Sequence, residues 1–403
     1  MTEEHKNQTA GERSPSEALP RPRLIKRLLR ALPAIAILLI LTWILGHTGV
    51  LHRIETVVLD SQLRLNKPPA NSPVVIVDID DEDYQKLFGG SSPLKPEQLG
   101  KLISNIAKGR PRIIGVDIDT SAAQFAERFP MQNWGPHIVW EREIRDLPEG
   151  GTDVENLQPL DILGGRKDID PAANSTGLPL LIDESEDKVT RRYRRSILTT
   201  RGPIASFPSE IAASYLGYGS QESSRLLDSR EDRLIRFSGA PGHSERLHFS
   251  ARKVGELADR WPEASPIRDK IVLLGGSYAG QDIHETPVGR LSGLEVMANV
   301  VETELAGGGE NPPSKTVVFL LELFEAFVLI LLFHNLRFRF ALIWCIVLIP
   351  VMAIFCSLFA YRDGGHFLQF VFILLGLLLF ELYEHFRRST VPSLYHDITK
   401  GAR

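Results

Sequence analysis

The chain has 403 residues, a net charge of −4 and 43% hydrophobic residues, which is enough for one or more domains together with long apolar segments. Residues 51–315 carry 40 Asp and Glu against 32 Lys and Arg, a net charge near −8 that argues against nucleic acid as a partner. Cys345 and Cys356 both lie in one apolar run, so no disulfide is expected in residues 51–315.

Four segments are long and apolar enough to cross a bilayer: residues 31–50, 316–334, 340–361 and 367–384. The first has no small-x-small cleavage site after its apolar core, so it is predicted to be an uncleaved signal anchor. The sequence therefore predicts a multi-pass protein with one N-terminal and three C-terminal transmembrane helices, and the lipid bilayer is an expected partner.

Basic residues set the expected orientation of these helices. Those that flank the predicted helices on one side are Arg21, Arg23, Lys26, Arg27, Arg30, Arg337, Arg339, Arg387 and Arg388. The positive-inside rule therefore predicts both termini in the cytoplasm, with residues 1–30 and 385–403 as cytoplasmic tails. Residues 51–315 are then expected to form one extracytoplasmic domain that begins with a helical stalk over residues 52–65.

Two near-copies in this domain predict strands that are buried on both faces. They are Val74-Val75-Ile76-Val77-Asp78-Ile79-Asp80 and Ile113-Ile114-Gly115-Val116-Asp117-Ile118-Asp119. Between them, residues 96–109 predict a helix with Leu99, Leu102, Ile103 and Ile106 on one face. A strand, a crossover helix and a second strand indicate parallel neighbours in an α/β sheet.

Four acids follow the apolar part of these two strands: Asp78, Asp80, Asp117 and Asp119. In a parallel α/β sheet the ligand crevice lies outside the carboxyl ends of the strands, so the four acids are expected there. They could hold a cation, bind a basic ligand or cap the amides of the following loops.

A third buried strand is predicted over residues 271–274, adjacent to the first two or nearly so. The loop after it contains Asp282 and His284, which are expected to share the crevice, and residues 291–305 predict an amphipathic helix. The loop is rich in glycine but lacks the Lys of a phosphate loop, so nucleotide binding is not expected.

Several other segments carry weaker signals. Residues 189–200 predict a hairpin strand whose bases face solvent, residues 206–217 a capped helix, and residues 233–237 a strand. Residues 122–177 contain little periodicity apart from strand-like pieces such as residues 137–140, and they are expected to form an insertion or lobe packed on the sheet.

Taken in order, these motifs resemble the type 2 CHASE sensory domain. The residues that carry the resemblance are Asp60 with its basic stalk, the two strands that end in Asp, Ser206-Phe207-Pro208-Ser209 and the block 270–299. The resemblance implies a periplasmic sensor in a bacterial inner membrane, usually joined to a cytoplasmic kinase or cyclase. The segment 88–94 departs from the Trp-containing pattern of that family, and only fifteen residues follow Arg388, so a separate signalling partner is expected.

Three classes of function compete. A sensor or regulatory subunit, possible as a homo-oligomer, is favoured over a transport or scaffold component. A hydrolase with a metal at Asp78, Asp80, Asp117, Asp282 and His284 is less favoured, because no metal-spaced His pair or Ser-His-Asp signature occurs. No enzymatic activity, metal or cofactor is therefore expected.

Two acids lie within the second predicted membrane helix. Glu322 and Glu325 are three residues apart and are expected to face inward, because a charge in lipid is costly. One of them is expected to be protonated or to meet a basic group on a partner protein, and a hydrogen bond to a nearby helix carbonyl or hydroxyl is the alternative.

Overall fold

The computed structural model describes residues 50–64, 71–130, 132–145, 158–183, 187–199, 202–217, 232–238, 246–261, 264–280 and 282–308. The chain forms two compact units, and nearly all described residues belong to the unit that comprises residues 54–314 and 356–368. The predicted tails and membrane segments lie outside the described residues, apart from Val50, and so do Glu322 and Glu325. Among the helices that are described, none has the length and apolar character needed to span a membrane.

The described ranges contain seven α-helices and fifteen strands. The helices are α1 (Val50–Leu63), α2 (Asp81–Phe88), α3 (Pro96–Lys108), α4 (Ala123–Arg128), α5 (Phe207–Leu216), α6 (Ala251–Leu257) and α7 (Gly293–Leu305). The strands are β1 (Val74–Ile79), β2 (Ile113–Asp117), β3 (His137–Glu141), β4 (Ile144–Arg145), β5 (Gln158–Pro159), β6 (Asn174–Gly177), β7 (Leu181–Asp183), β8 (Thr190–Arg194), β9 (Ser196–Thr199), β10 (Gly202–Ala205), β11 (Asp232–Leu234), β12 (Leu247–Ser250), β13 (Ile271–Gly276), β14 (Ile283–Thr286) and β15 (Gly289–Ser292).

A six-stranded sheet in the order β12-β1-β13-β2-β3-β6 forms the centre of the domain, and all of its pairs are parallel. The predicted α/β class with a largely parallel sheet is confirmed. The prediction that β1 and β2 are direct neighbours is wrong, because β13 lies between them and pairs with both. A crossover helix fixes handedness but not how many strands the connection skips, and the wholly apolar Ile271 to Leu274 takes the central position.

Helices cover both faces of this sheet. On one face, Leu99 and Ile103 of α3 pack with Val75 and Val272 in a buried cluster. On the other face, α5 and α7 pack against the alternate residues of the same strands, as the period of two in a strand requires. The helices predicted over residues 96–109 and 206–217 are confirmed as α3 and α5, and α7 begins at Gly293 rather than residue 291.

The structure corrects two of the weaker predictions made from the sequence. The segment 122–177 is expected to form a lobe packed on the sheet, but it contributes β3 and β6 to the central sheet itself. The predicted solvent-facing hairpin over residues 189–200 divides into β8 and β9, and two of its bases are buried: Arg191 is 1% exposed and Arg195 is 5% exposed. Both are charge-paired inside the domain, a pairing with distant acids that local periodicity does not reveal.

The first described helix, α1, confirms the helical conformation predicted for residues 52–65 and joins the domain through its second half. Leu59 and Leu63 are buried against Leu234 of β11. Asp60 accepts hydrogen bonds from Arg191 at 2.7 and 3.0 Å, and Nε of Arg64 donates to the carbonyl of Pro287 at 2.5 Å. The end of α1 is therefore fixed to β8 and to the turn between β14 and β15.

Candidate functional site

A cavity of about 540 Å³ lies at the carboxyl end of the central sheet, where β2, β3 and β13 end. Acidic side chains and one histidine dominate its polar lining: Asp117, Asp119, Glu141, Glu143, Asp183, Asp282 and His284. Leu94, Leu181 and Met297 add apolar surface, and Tyr278 adds an aromatic ring. No Lys or Arg occurs among the described lining residues, so the cavity has a strongly negative potential.

Asp117 is the most perturbed acid of the cavity. Burial at the end of β2 raises the pKa of its carboxyl from the ordinary 3.8 to about 7, and the negative charges of Asp282 and Glu143 add to this effect. The nearby His284 acts in the opposite direction. Near neutral pH the carboxyl of Asp117 therefore exists in both its protonated and its charged form.

His284 is held between two strands and two acids. Its Nε2 lies 3.0 Å from Oδ1 of Asp282, and its Nδ1 lies 3.1 Å from Oγ1 of Thr190 and 3.7 Å from Oδ1 of Asp183. The hydrogen bond with Asp282 raises the pKa of His284, and Asp183 contributes further, so the protonated imidazolium is favoured. His284 is thus a basic group that two acids of the cavity, Asp282 and Asp183, already hold.

The N-terminus of α7 explains why carboxylates collect here. Ser292 caps the helix and forms a capping box with Glu295. Gly293 touches the carboxylate of Asp282 so closely that any side chain there would overlap it, and Gly293 N–H donates to the Asp282 carbonyl at 2.9 Å. The positive end of the helix dipole favours negative charge at this position.

Asp78 and Asp117 lie at the same level of the sheet, but Gly275 of β13 lies between them. Both pair in register with Gly275 of β13, which places them two strand spacings apart, roughly 9–10 Å. Leu294 of α7 lies over Gly275. Asp78 is absent from the cavity lining, so the predicted crevice is divided at this point.

Asp78 instead forms its own polar group beside β12. Its Oδ2 accepts a hydrogen bond from Oγ of Ser277 at 2.6 Å and lies 3.8 Å from Nε2 of His248. This carboxylate raises the pKa of His248. The other oxygen, Oδ1, is buried and has no hydrogen-bond partner within the described ranges.

The two remaining predicted acids have structural bonds. Asp80 is the N-cap of α2 and accepts from the amide of Asp83 at 2.7 Å. Asp119 accepts from the amide of Ser121 at 2.8 Å and also lines the cavity. The structure thus brings together Asp117, Asp119, Asp282 and His284, and it places Asp78 and Asp80 elsewhere at the same end of the sheet.

Sequence reasoning missed Glu141, Glu143 and Asp183 as cavity residues. A signal was present for two of them, because Glu141 follows the apolar run Ile138 to Trp140 and Asp183 follows Leu181 and Ile182. These are the same strand-then-acid patterns that marked Asp78 and Asp117. In the described ranges, no three His, Cys, Asp or Glu side chains are placed to hold a metal ion.

The fold and the cavity define an α/β domain with a cavity at the carboxyl end of a parallel sheet, the position at which such domains commonly bind ligands. Its family follows from a comparison with family models, in which the CHASE2 domain matches residues 34–345. The chain belongs to the CHASE2 domain family, a family of extracellular sensory domains. No curated protein and no solved structure matches the chain.

Proposed function

We propose that this protein is a multi-pass membrane sensor whose extracytoplasmic domain binds an organic cation in the cavity at the carboxyl end of the sheet. The proposal rests mainly on one observation: the β14 to β15 hairpin that carries His284 contacts α1 and continues directly into α7. These two helices precede and follow the sheet in the chain, so a change at the cavity reaches both ends of the domain.

The chemistry of the lining supports a cationic ligand. Six carboxyl groups and no Lys or Arg line the described walls, so the acceptors for an ammonium group outnumber the one basic side chain of the described lining, His284. Leu181, Met297 and Tyr278 supply apolar and aromatic surface for a carbon skeleton and for a cation over a ring. A volume of about 540 Å³ suits a small organic molecule better than a bare ion.

The first route from the cavity runs through β8 to α1. Successive residues of a strand point to opposite faces, so Thr190 contacts His284 while its neighbour Arg191 holds Asp60 of α1. A ligand that displaces His284 from Asp282 would therefore shift β8 together with the helix that β8 holds. The bond from Arg64 to the Pro287 carbonyl connects the same hairpin to α1 a second time.

The second route runs along α7 to its buried polar end. Glu302 is bound there by Arg246, Ser238 and Ser72, and Glu304 is bound by Arg195. These bonds join the end of α7 to the start of β1 and to the strand region after β8. A displacement of α7 at Gly293 is therefore carried to its end as a rigid movement, because a packed helix does not bend easily.

In this proposal the segments that the sequence predicts to cross the membrane transmit the signal. Residues 31–50 would receive the movement of α1, and residues 316–334 would receive that of α7. Both termini are cytoplasmic in this proposal, and a separate signalling partner, or a second copy of the chain, reads the change. Glu322 and Glu325, which are expected to face inward in the second predicted membrane helix, are the proposed contact with that partner.

A binding experiment tests the ligand class. The full-length protein in detergent is titrated with putrescine, choline and lysine methyl ester, and the unfolding midpoint is measured, because a ligand of the folded state raises it. At least one of these cations should raise the midpoint, and Asp117→Asn combined with Asp282→Asn should abolish the effect. Glu127→Gln, an exposed acid on α4, is the matched control and should keep it.

The affinity for the cation should also increase as the pH rises through 7, because the carboxyl of Asp117 gains its charge there. Two results would contradict a cationic ligand at this cavity. In the first, none of the three cations raises the unfolding midpoint of the wild type. In the second, Glu127→Gln reduces the shift of the midpoint as much as the double variant does.

A further inference from the structure

A second groove lies at the opposite, amino end of the sheet and has a volume of about 680 Å³. Its walls come from the segments that enter β2, β3 and β13 and from the end of α3. Three of its lining residues are basic, namely Lys108, Arg110 and Arg112, and Asp269 is the one acid among the described lining residues. The two ends of the sheet therefore have opposite charge.

Two of these cations have no acid partner among the residues that the structure describes. Nζ of Lys108 lies 2.8 Å from the exposed Asp259. The described part of the chain offers no carboxylate within ion-pair distance of Arg110 or Arg112. The guanidinium of Arg112 lies 5.1 Å from the ring centre of Tyr215, and this stacking orients the group.

The groove also contains an unsatisfied donor. Nε1 of Trp134 is buried and has no acceptor within the described ranges, and Trp134 lines the groove beside Gly135 and Pro136. Buried indole N–H groups are normally hydrogen-bonded, because leaving a donor unpaired is costly. The N–H has almost no accessible surface, so an acceptor from outside the protein reaches it only after the indole turns toward the groove.

The backbone around the groove adopts a conformation that suits glycine better than the residues present. Arg110 has φ 55° and Asp269 has φ 58°, and the amide of Asp269 donates to the carbonyl of Arg110 at 3.0 Å. Left-handed backbone costs about 1–2 kcal/mol in a residue that has a Cβ. Such conformations persist where the surroundings impose them, and they are concentrated at functional sites.

We propose that this groove binds a phosphate group, which Arg110, Arg112 and Trp134 would hold by donating hydrogen bonds to its oxygens. Guanidinium groups match phosphate oxygens in geometry and charge, and every donor named here lacks an internal acceptor or acid partner among the described residues. The anion site is independent of the acidic cavity, which lies at the other end of the strands.

The phosphate has two possible sources. A phospholipid headgroup and a free phosphate present the same chemistry to the groove, because both offer charged oxygens to the guanidinium groups.

The experiment uses the full-length protein in two arms. In the first, inorganic phosphate is titrated into the detergent-solubilised protein at constant ionic strength. In the second, the unfolding midpoint is compared between nanodiscs of phosphatidylglycerol and of phosphatidylcholine. Arg110→Gln combined with Arg112→Gln is compared with Lys101→Gln combined with Arg128→Gln, which removes two exposed charges outside the groove. Trp134→Phe removes the indole N–H and keeps an aromatic ring.

The double Arg variant should weaken phosphate binding, or remove the stabilisation by the anionic lipid, by about tenfold or more, since each lost charge-assisted hydrogen bond is worth roughly that factor. Trp134→Phe should weaken the same response several-fold, and the Lys101 and Arg128 control should change it by less than about twofold. An effect in the first arm identifies a free anion, and an effect confined to the second identifies a headgroup. If wild type, double Arg variant and Trp134→Phe respond alike in both arms, the proposal is overturned.

Discussion

Arg191 of β8 and Asp60 of α1 form a two-point ion pair, with Nε 2.7 Å from Oδ1 and Nη2 3.0 Å from Oδ2. The same guanidinium binds Asp187 through Nη1 at 2.9 Å and Nη2 at 2.7 Å, and it is almost completely buried. One cation thus joins the helix before the sheet to the strand beside the acidic cavity.

Replacing Arg191 by Ala should lower the free energy of unfolding by roughly 3–5 kcal/mol, because Asp60 and Asp187 lose the cation that compensates their charge. Denaturant titration of the full-length protein measures this change. Arg194→Ala is a control from the same strand, since Arg194 pairs with Asp232 at the surface with about a third of each side chain exposed. That variant should cost less than about 1 kcal/mol. If both variants lose the same free energy of unfolding, the buried ion pairs of Arg191 contribute no more to stability than a surface pair.

The free energy of unfolding should depend on pH through the titration of Asp117. Its folded-state pKa of about 7 lies above the ordinary 3.8, so the folded protein holds more protons than the unfolded chain between these values. The contribution of Asp117 to the free energy of unfolding therefore falls as the pH rises through this window. His284 acts in the same direction at higher pH, because its raised pKa gives a stabilisation that is lost as the pH rises through that pKa.

Asp117→Asn removes the first of these two effects. Between pH 5 and pH 8 the variant should lose less stability than the wild type, by an amount on the order of 1–3 kcal/mol. Unfolding curves at the two pH values measure the difference. A variant that keeps the full pH slope of the wild type would show that Asp117 titrates near its ordinary value.

Gly293 should tolerate no larger residue. Ala at this position would overlap the carboxylate of Asp282, so Gly293→Ala is expected to displace Asp282, separate it from His284 and cost about 1–3 kcal/mol. Gly255→Ala in α6 is the control, because its new Cβ would meet only Nδ2 of Asn105 at an ordinary 4.0 Å. NMR of the His284 ring in the full-length protein reports the separation. An unchanged ring environment in Gly293→Ala would contradict the packing described here.

Membrane topology tests the arrangement that the sequence predicts. Alkaline phosphatase fused after residue 150 should be active and the same enzyme fused after residue 403 should be inactive, because it folds only outside the cytoplasm. Activity in the opposite pattern would place the acidic cavity on the cytoplasmic side and end the sensor proposal.

Much of the fold could be predicted because its signals are local. The buried strands with Asp78 and Asp117, the apolar face of α3 and the capped start of α5 all follow from spacing within a few residues. Strand order could not be predicted, since the position of β13 between β1 and β2 depends on pairs of residues 197 and 158 positions apart in the chain. The burial of Arg191 and Arg195 depends on Asp60 and Glu304, which are 131 and 109 residues away in sequence.

The candidate site was predicted in part for the same reason. Asp117, Asp119, Asp282 and His284 come together because strand ends of a parallel sheet meet on one side. Asp78 also lies at a strand end on this side of the sheet. However, Leu294 covers Gly275, which lies between Asp78 and Asp117, and no pattern in either segment reveals this packing. Asp80 follows a strand and precedes a helix, and its N-cap bond decides its role.

The central claim is that the acidic cavity is coupled to α1, and amide hydrogen exchange across residues 56–64 tests it most directly. The full-length protein is compared with and without whichever of putrescine, choline and lysine methyl ester stabilises it most, at saturating concentration. The account predicts that the cation changes the exchange rates of α1 in the wild type, and that Thr190→Val, which removes the bond to His284, reduces this change while the cation still binds. Exchange rates of α1 that stay the same while the cavity is occupied would contradict the coupling.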